Sequence, residues 1–580
     1  MRRLTGVAVA LVLSAYVTHA QQKSPLADLK TKAEASDYKS TSSYDDVVAF
    51  MKAVAQASPK TVFYTTYGTT TEGRAMPMAI VGTGLKDGSP AAVKASGKLR
   101  VHVQANVHAG EVEGKESAQV LLRELALGQH DDWLRSMVFL ITPDYNADGN
   151  EKFGNNRGIQ NGPINGEGTR ANAQGLNINR DYMKLDTPEA KAFVKLWNDY
   201  DPQIGFDLHT SDGSYHGYYL TYSPPLNPDT DPALMKIMTD EWFPFVTKQI
   251  KTKHGWDTFY YGNAATPGAR GGGGGRGRAG SPPAGGPPAG GPPAGGPPAG
   301  GPPAGAAPQR GRGGPACVNN PPPDGVTREW ATFEHVPRFH NNYVGFRNRF
   351  GLLSEAYSYA TFEDRIKATN YFLDAALDFA TQNAAKLKKA IADADKQRVI
   401  GETLATTAKI KRGGTVGILM GEVEPIQNPV FNTTMCNRKD VVRTEQMVDA
   451  MWFEPLTTES VPSAYYVPGD AAKAIEQLKA HGIVLRSVTQ PVSGVEQFTI
   501  TANDSAQKFE GHTMRKIDGK WNAAAGVTVP RGAFEVSMTQ PLARLAFYLL
   551  EPASDDGLVA WNFLDDQLKD AKTYPILRKR

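Results

Sequence analysis

The sequence predicts an α/β fold in which buried strands alternate with helices. The stretch 99–127 begins with alternating apolar residues, the period of a strand, and continues as an amphipathic helix. Two later segments, MVFLIT at 137–142 and IGFDL at 204–208, have the apolar character of buried strands. Because ligands of open α/β sheets bind at the carboxyl ends of the strands, we expect the functional residues at that edge.

The N-terminal twenty residues have the organisation of a secretory signal. Arg2 and Arg3 precede an apolar run from Leu4 to Val17, and a small-residue cleavage site ends at Ala20. The apolar run is too short for a stable membrane span, and the sequence predicts no later one. We therefore expect a signal peptide over residues 1–20, cleavage, and a secreted or periplasmic protein.

The remaining elements follow in chain order. We predict a helix before residue 60, strands at 62–66, 76–81, 99–105, 137–142 and 204–208, a helix around 234–251, a strand at 350–354 and a long helix at 369–396. Beyond it we predict strands at 415–420, 464–467, 498–502 and 533–538, with helices at 471–481 and 542–550. At 580 residues the chain is too long for one core, so we expect two domains, 21–396 and 397–580.

A Gly/Pro-rich tract over residues 267–325 interrupts the first of these domains. It consists almost entirely of Gly, Pro, Ala and Arg, a composition that cannot bury a core, so we expect disorder. Since strands resume after it, we interpret the tract as an insertion within this one domain and not as a boundary between two. A ligand for proline-binding modules or a cell-wall tether is the alternative interpretation.

The net charge of +3 does not indicate a nucleic-acid partner. Two arginines belong to the signal, and five more (270, 276, 278, 310 and 312) lie in the Gly/Pro tract. Without these seven, the rest of the chain carries about −4. The two cysteines, Cys317 and Cys436, have no metal-motif spacing. They could pair in an oxidising compartment, but the sequence does not show that they meet.

The strand ends carry a set of residues suited to metal-assisted hydrolysis. The first strand leads to His108 and Glu111, the third to His209, and the fourth to Glu355. A His/Glu/His triad leaves one tetrahedral zinc position open for water. A separate carboxylate must then accept the proton of that water, and we predict Glu355 for this role. Each residue alone is better explained as structural; their joint occurrence in this order favours a metal site.

Four motifs together resemble the zinc carboxypeptidase family, in its carboxypeptidase A-like form. They are HAGE at 108–111, GLNINRD at 175–181, FDLHTS at 206–211 and LLSEAYSY at 352–359, and the resemblance extends over about residues 60–395 without the tract. It implies a mixed, mostly parallel eight-stranded sheet with helices on both faces. The C-terminal domain is expected to be a smaller mixed α/β unit.

The resemblance also implies roles for individual residues. His108, Glu111 and His209 would bind one Zn²⁺, and Glu355 would be the general base. Arg157 would stabilise the oxyanion, while Asn179 and Arg180 would bind the terminal carboxylate of the substrate, for which a guanidinium is well shaped.

Three positions depart from the family pattern or leave it ambiguous. Asn177 stands where the family has an aspartate that supports the first zinc histidine, so we expect weaker metal affinity. Arg170 is an alternative to Arg157. Tyr343 is the nearest candidate for a substrate-binding tyrosine, with Tyr260 or Tyr261 as alternatives.

The sequence therefore predicts an exported zinc metallocarboxypeptidase acting on peptides, without a nucleic-acid partner or a membrane span. One alternative keeps the metal but acts on cell-wall peptides or N-acyl amino acids as an amidohydrolase. Another is a catalytically silent binding protein on the same fold. Oligomeric state, side-chain preference and the role of residues 397–580 stay open.

Overall fold

We analysed a computed structural model of the chain, which describes residues 25–211, 213–267, 317–318, 322 and 324–580. The predicted signal peptide at 1–20 and nearly all of the predicted insertion at 267–325 lie outside the described residues. Within the described part, no helix combines the length and the apolar character needed to cross a membrane.

An eight-stranded mixed sheet forms the centre of the N-terminal part. The first ten strands are β1 (Val62–Thr69), β2 (Ala75–Val81), β3 (Leu99–Ala105), β4 (Met137–Thr142), β5 (Ile204–Ser211), β6 (Leu220–Ser223), β7 (Thr258–Tyr260), β8 (Asn263–Ala265), β9 (Glu329–Ala331) and β10 (Phe350–Tyr357). The sheet order is β1-β2-β4-β3-β5-β10-β6-β7. The four central strands are parallel, whereas β1, β2 and β6 pair antiparallel with their inner neighbours. The predicted sheet class is confirmed.

Helices cover both faces of this sheet, as predicted. The first twelve are α1 (Lys32–Ala35), α2 (Tyr44–Ala57), α3 (Pro90–Ala95), α4 (Glu113–Ala126), α5 (Asp131–Ser136), α6 (Ala147–Asn150), α7 (Pro188–Tyr200), α8 (Pro232–Ile237), α9 (Phe243–His254), α10 (His340–Phe346), α11 (Phe362–Gln382) and α12 (Ala384–Lys396). A π-helical turn at Met238–Trp242 joins α8 to α9, and a short 3-10 helix spans Ile178–Arg180. One apolar core contains α2, α4, α9 and α11, and the other contains α7 and α10.

The C-terminal part is richer in strands than predicted. Its elements are β11 (Thr403–Lys411), β12 (Thr415–Asn428), β13 (Thr433–Ala450), β14 (Trp452–Ser460), β15 (Ala464–Val467), α13 (Ala472–Ala480), β16 (Arg486–Ser487), β17 (Glu496–Phe509), β18 (His512–Ala523), β19 (Phe534–Ser537), α14 (Ala543–Leu550), α15 (Asp565–Leu568) and β20 (Leu577–Lys579). They form a two-stranded sheet β11-β14 and a six-stranded sheet β16-β19-β15-β20-β17-β18, and β12 and β13 join β9 and β8 of the N-terminal part in a four-stranded sheet β12-β13-β9-β8. The long hairpins are largely exposed, so the apolar runs that mark buried strands are missing from β13 and β18.

The two parts share an apolar core. The cluster that covers α7 and α10 also contains residues of α13 and α14. Phe346 of α10, for example, lies 4.9 Å from Tyr548 of α14 between ring centroids. The flanks of the Gly/Pro tract, β8 and β9, pair with one another antiparallel, and β9 pairs with β13. The division into domains at residue 397 stays a prediction.

Candidate active site

Three side chains meet at the carboxyl edge of the central strands. They are His108 and Glu111, which lie between β3 and α4, and His209 of β5; their ligand atoms all lie within 4.8 Å of one another. Each residue is at most 3% exposed. Nδ1 of His108 lies 2.9 Å from Glu111 Oε1, and Nδ1 of His209 lies 2.7 Å from Glu111 Oε2. The structure thus brings the three predicted metal ligands together.

An oxygen acceptor faces the other nitrogen of each imidazole. Nε2 of His108 lies 3.0 Å from Asn177 Oδ1, and Nε2 of His209 lies 2.9 Å from Asp207 Oδ2. An imidazole that donates its Nε2–H keeps a lone pair on Nδ1, the nitrogen turned toward Glu111. Two imidazole nitrogens and one carboxylate oxygen form the donor set of a catalytic zinc site, so these residues fit that metal.

Burial and neighbouring charges determine the protonation of this cluster. Burial and Arg170 lower the pKa of His108 to about 3, so its imidazole is neutral, the form that binds a metal. Burial disfavours charge on His209, but Asp207 and Glu111 raise the pKa of His209 well above its ordinary value. Burial also opposes the charge of Glu111, yet its neighbours, His108 first, hold the pKa of Glu111 well below its ordinary value. Glu111 is therefore an anion at neutral pH, as a metal ligand must be.

Glu355 lies in the wall of the same cavity as His108 and Glu111. Its strand β10 runs parallel to β5, and the register places Glu355 beside His209. The side chain is only half-buried, so water in the cavity can reach it. A carboxylate at this position can accept a proton from that water.

Two arginines approach Glu111, and they differ in their position relative to the cavity. Arg157 and Arg170 both donate to Glu111 Oε1, at 2.9 and 3.2 Å. The Arg157 side chain is 10% exposed, and its Nε and Nη2 donate to Gln160 Oε1 and to the backbone oxygen of Thr210. Arg170 is 31% exposed and is among the described residues that line the cavity, whereas Arg157 is not. Arg170 is thus the arginine placed to meet a ligand.

The 3-10 helix at Ile178–Arg180 places Asn179 and Arg180 in the cavity wall. Arg180 is 2% exposed, its Nη1 donates to the Asn179 backbone oxygen at 2.8 Å, and its guanidinium carbon lies 4.0 Å from the centroid of the Phe339 ring. Burial and Arg170 lower the pKa of Arg180 to about 9, so Arg180 stays charged at neutral pH. A desolvated guanidinium beside a second arginine favours the binding of an anion such as a carboxylate.

The structure contradicts the assignment of Tyr343 to the substrate site. Tyr343 is fully buried on α10, with its hydroxyl 2.9 Å from His481 Nδ1 and 3.2 Å from Arg347 Nη1. It therefore packs α10 against the C-terminal part instead of facing the cavity. Tyr261, one of the two alternatives, lines the cavity. The sequence alone did not show which of these tyrosines faces the cavity. Every residue of α10 is buried, so the helix has no exposed polar face that would set a functional tyrosine apart from a core tyrosine.

Other residues near the site were not predicted. Asp207 lies two positions before His209 on β5, so strand alternation places both on one face; that signal was present in the sequence. Phe333, Phe339 and Asn341 line the cavity from the segment between β9 and β10. Their local pattern contains no comparable signal, because only the path of this segment brings it to the sheet edge.

Comparison with known proteins finds a family match for the segment that carries most of these residues. Residues 47–235 match the family model described as zinc carboxypeptidase. The matched segment contains His108, Glu111, His209 and Arg180 and ends before Glu355. This segment is similar to the zinc carboxypeptidase family, and the relatives that it matches are named carboxypeptidases.

Individual relatives cover only part of the chain. "Carboxypeptidase 2" of Trichophyton rubrum is 29% identical over 164 residues, which are 28% of this chain and 27% of that protein. "Probable carboxypeptidase 2" of Arthroderma benhamiae is 28% identical over the same length. The chain thus spans about a quarter of the length of these curated relatives. Among solved structures, a metallo-carboxypeptidase from Burkholderia cenocepacia is 18% identical, with 59% of this chain and 70% of that chain covered and a TM-score of 0.37.

Proposed function

We propose that the chain is a zinc-dependent carboxypeptidase that removes residues from the C-termini of peptides. One observation carries this proposal: the His108–Glu111–His209 cluster, Glu355 and Arg180 contribute to one cavity or its immediate edge. A cation-binding cluster, a separate carboxylate and a buried guanidinium are what hydrolysis next to a free carboxylate requires.

His108, Glu111 and His209 would hold the metal. Zn²⁺ bound there would supply a Lewis acid that polarises a carbonyl and lowers the pKa of a water toward about 7. Asp207 and Asn177 fix the orientation of the two imidazoles through their Nε2 atoms. Because Asn177 carries no charge, it makes His108 a less basic ligand than an aspartate would.

Glu355 acts as general base in this proposal. Its half-buried carboxylate faces the cavity, accepts a proton from the attacking water and returns it to the amine that leaves. Arg170, also in the cavity wall, donates to the oxygen on which negative charge develops. Arg157 holds the Glu111 carboxylate in place from behind.

Arg180 and Asn179 bind the terminal carboxylate of the substrate. The Arg180 guanidinium is buried against Phe339, where an incoming carboxylate offsets the cost of its desolvation. Asn179 lines the same cavity, and the N–H groups of its side-chain amide are donors of the kind that a carboxylate oxygen accepts from. An enzyme with this anchor prefers substrates whose C-terminus is free.

Export to an oxidising compartment is part of the proposal. Cys317 and Cys436 form a disulfide in the structure, and disulfides persist mainly outside the reducing cytosol. The predicted signal at residues 1–20 would direct that export. Peptides are the proposed partners.

Metal analysis together with a peptide panel tests the function. We expect one zinc per chain, loss of hydrolysis on chelation and its return with Zn²⁺, and trimming of peptides with free but not amidated C-termini. His209→Ala should lose the metal, whereas His254→Ala, whose ring stacks on Tyr371, should keep it. Cleavage confined to amidated or N-acyl substrates would instead support an amidohydrolase, and absence of metal-dependent hydrolysis would support a silent binding protein.

The role of Glu355 has its own test. Glu355→Gln should lower kcat by about 10²–10⁴-fold with zinc content unchanged, because the amide cannot accept the proton. Glu476→Gln, on the exposed face of α13, is the matched control and should keep full activity. Wild-type kcat in Glu355→Gln would exclude Glu355 as the base.

A further inference from the structure

The turn between β17 and β18 brings the C-terminal part of the chain to the candidate active site. Phe509 pairs with His512 across the hairpin, so only Glu510 and Gly511 form the turn. Their φ angles are 46° and 88°. A tight type I′ hairpin turn requires a positive φ at both central residues, and Gly511 adopts one without steric cost. We refer to Phe509–His512 as the hairpin tip.

The side chains of the hairpin tip contact the loop that carries Asn179 and Arg180. Glu510 Oε2 accepts the backbone N–H of Asn177 at 2.9 Å. His512 Nε2 lies 2.9 Å from Asp186 Oδ2 at the other end of the same loop. The hairpin tip therefore holds the loop at both ends, with Arg180 between the two contacts.

The hairpin tip is itself anchored. Phe509 and His512 pack against Trp561, at 6.3 and 5.4 Å between ring centroids. The guanidinium carbon of Arg338 lies 5.2 Å from the Phe509 centroid and 5.0 Å from that of Trp561. His512 Nδ1 also lies 3.1 Å from Asn562 Oδ1. An anchored tip can restrict the loop, which a freely moving hairpin could not.

Hydrogen bonds connect the Glu510 contact to the site. Asn177 Oδ1 accepts the backbone N–H of Asn179 at 3.1 Å and faces His108 Nε2 at 3.0 Å. Asn177 also precedes the 3-10 helix that ends at Arg180. Fixing the Asn177 backbone therefore fixes the start of that helix and the partner of a candidate metal ligand.

We propose that the hairpin tip is a positioning element of the substrate site. Glu510 and His512 hold the 177–186 loop so that Asn179 and Arg180 meet the substrate carboxylate in one defined geometry. Among the described residues, neither of these two lines the cavity, so both would act through the loop. The expected effect on kinetics rests on the proposed function, whereas the expected effect on the loop rests only on the contacts in the structure.

Two substitutions at Glu510 test the contact. Glu510→Ala removes the acceptor for the Asn177 N–H, whereas Glu510→Gln keeps an oxygen that can accept it. Asp504→Ala, which removes an exposed acid from the same hairpin, is the matched control. His512→Ala removes the contact at the other end and serves as a second, independent variant.

Amide hydrogen exchange over residues 176–187, measured in the full-length protein without substrate, is the first readout. We expect exchange in Glu510→Ala to rise about tenfold, the equivalent of one hydrogen bond to a charged acceptor, with Glu510→Gln between this variant and the wild type because its neutral oxygen accepts a weaker bond. His512→Ala should raise exchange toward residue 186, and Asp504→Ala should change nothing. Unchanged exchange in both Glu510→Ala and His512→Ala would overturn the proposal.

Steady-state kinetics with a free C-terminal peptide is the second readout. Glu510→Ala should raise KM about tenfold with kcat largely retained, and Glu510→Gln should restore part of this loss. A fall in kcat with KM unchanged would overturn the positioning role. If the wild type hydrolyses no peptide, the proposed function fails, and the exchange measurement still decides whether the hairpin tip holds the loop.

Discussion

At the scale of single residues, the surroundings of Arg180 favour the binding of an anion. Its guanidinium is 2% exposed and lies against Phe339, while Arg170 nearby adds a second positive charge. A buried guanidinium beside a second positive charge favours an anionic ligand. The sequence indicated Arg180 through its motif, but the choice of Arg170 over Arg157 needed the orientation of both side chains.

Arg180→Ala should impair substrates with a free C-terminus only. Loss of a hydrogen bond to a charged group costs about 1.5–3 kcal/mol, so KM should rise by about 10–150-fold for free peptides and stay unchanged for amidated ones. Arg531→Ala, at an exposed position, is the control. Equal effects on both peptide classes would contradict the anchoring role of Arg180.

Substitution of Arg170 and substitution of Arg157 should affect different quantities, kcat and zinc affinity respectively. Arg170→Ala should lower kcat by about 10²–10³-fold, because it removes a donor to the developing oxyanion. Arg157→Ala should act mainly on zinc affinity, since Arg157 holds Glu111 from outside the cavity. Chelator competition and kcat measured on both variants test this; the opposite pattern would restore the role that the sequence suggested for Arg157.

At the scale of elements, the loop between residues 177 and 186 depends on partners distant in sequence. Asp181 accepts the backbone N–H groups of Asp186 and Thr187 and the ammonium of Lys184, which closes the loop on itself. The contact with His512 then connects this closed loop to the β17–β18 hairpin. A histidine paired with a carboxylate makes that connection dependent on pH.

The His512–Asp186 pair should stabilise the fold most in mildly acidic solution. Asp186 raises the pKa of His512 above 6.5. Burial opposes the charge of Asp186, but His512 and Lys184 hold the pKa of Asp186 below 3.8. The contribution of His512 to the free energy of unfolding is complete below pH 6.5 and is lost as pH rises through the folded-state pKa of His512. The contribution of Asp186 is complete above pH 3.8 and is lost as pH falls through the folded-state pKa of Asp186.

The measurement is the free energy of unfolding of wild type and His512→Ala across this pH range. The difference between them should be largest between about pH 4 and 6.5 and should shrink as pH rises further. His254→Ala, a histidine stacked on Tyr371, controls for loss of an imidazole elsewhere. A difference that does not vary with pH would show that His512 contributes packing and no charge.

At the scale of the whole molecule, the C-terminal part contacts the candidate active site through two hairpins. The hairpin tip contacts the 177–186 loop, and the β12–β13 hairpin contacts the chain near Arg157 and near Glu355. There the backbone N–H of Cys436 donates to Ile159 at 2.9 Å, and that of Arg438 donates to Tyr359 at 2.7 Å. The disulfide from Cys436 to Cys317 secures this second hairpin.

Removing the disulfide should destabilise the whole protein. The bond joins residues 119 positions apart, so its loss frees a long loop in the unfolded chain. The Cys317→Ser/Cys436→Ser variant should lose about 2–5 kcal/mol of unfolding free energy. Chemical denaturation measures this, and wild type in reductant should behave like the double variant. Identical unfolding curves with and without the bond would contradict the prediction.

The sequence by itself predicted most strands of the central sheet and the candidate donor set at its edge. Apolar strand runs followed by His108, His209 and Glu355 mark those strands and the polar residues at their ends, because strand patterns act over short stretches of chain. Only the tertiary structure shows what depends on packing between distant segments: Arg170 and Tyr261 in the cavity wall, and the contact of Glu510 with the 177–186 loop. These features depend on side-chain direction and on chain path across hundreds of residues, which no local pattern encodes.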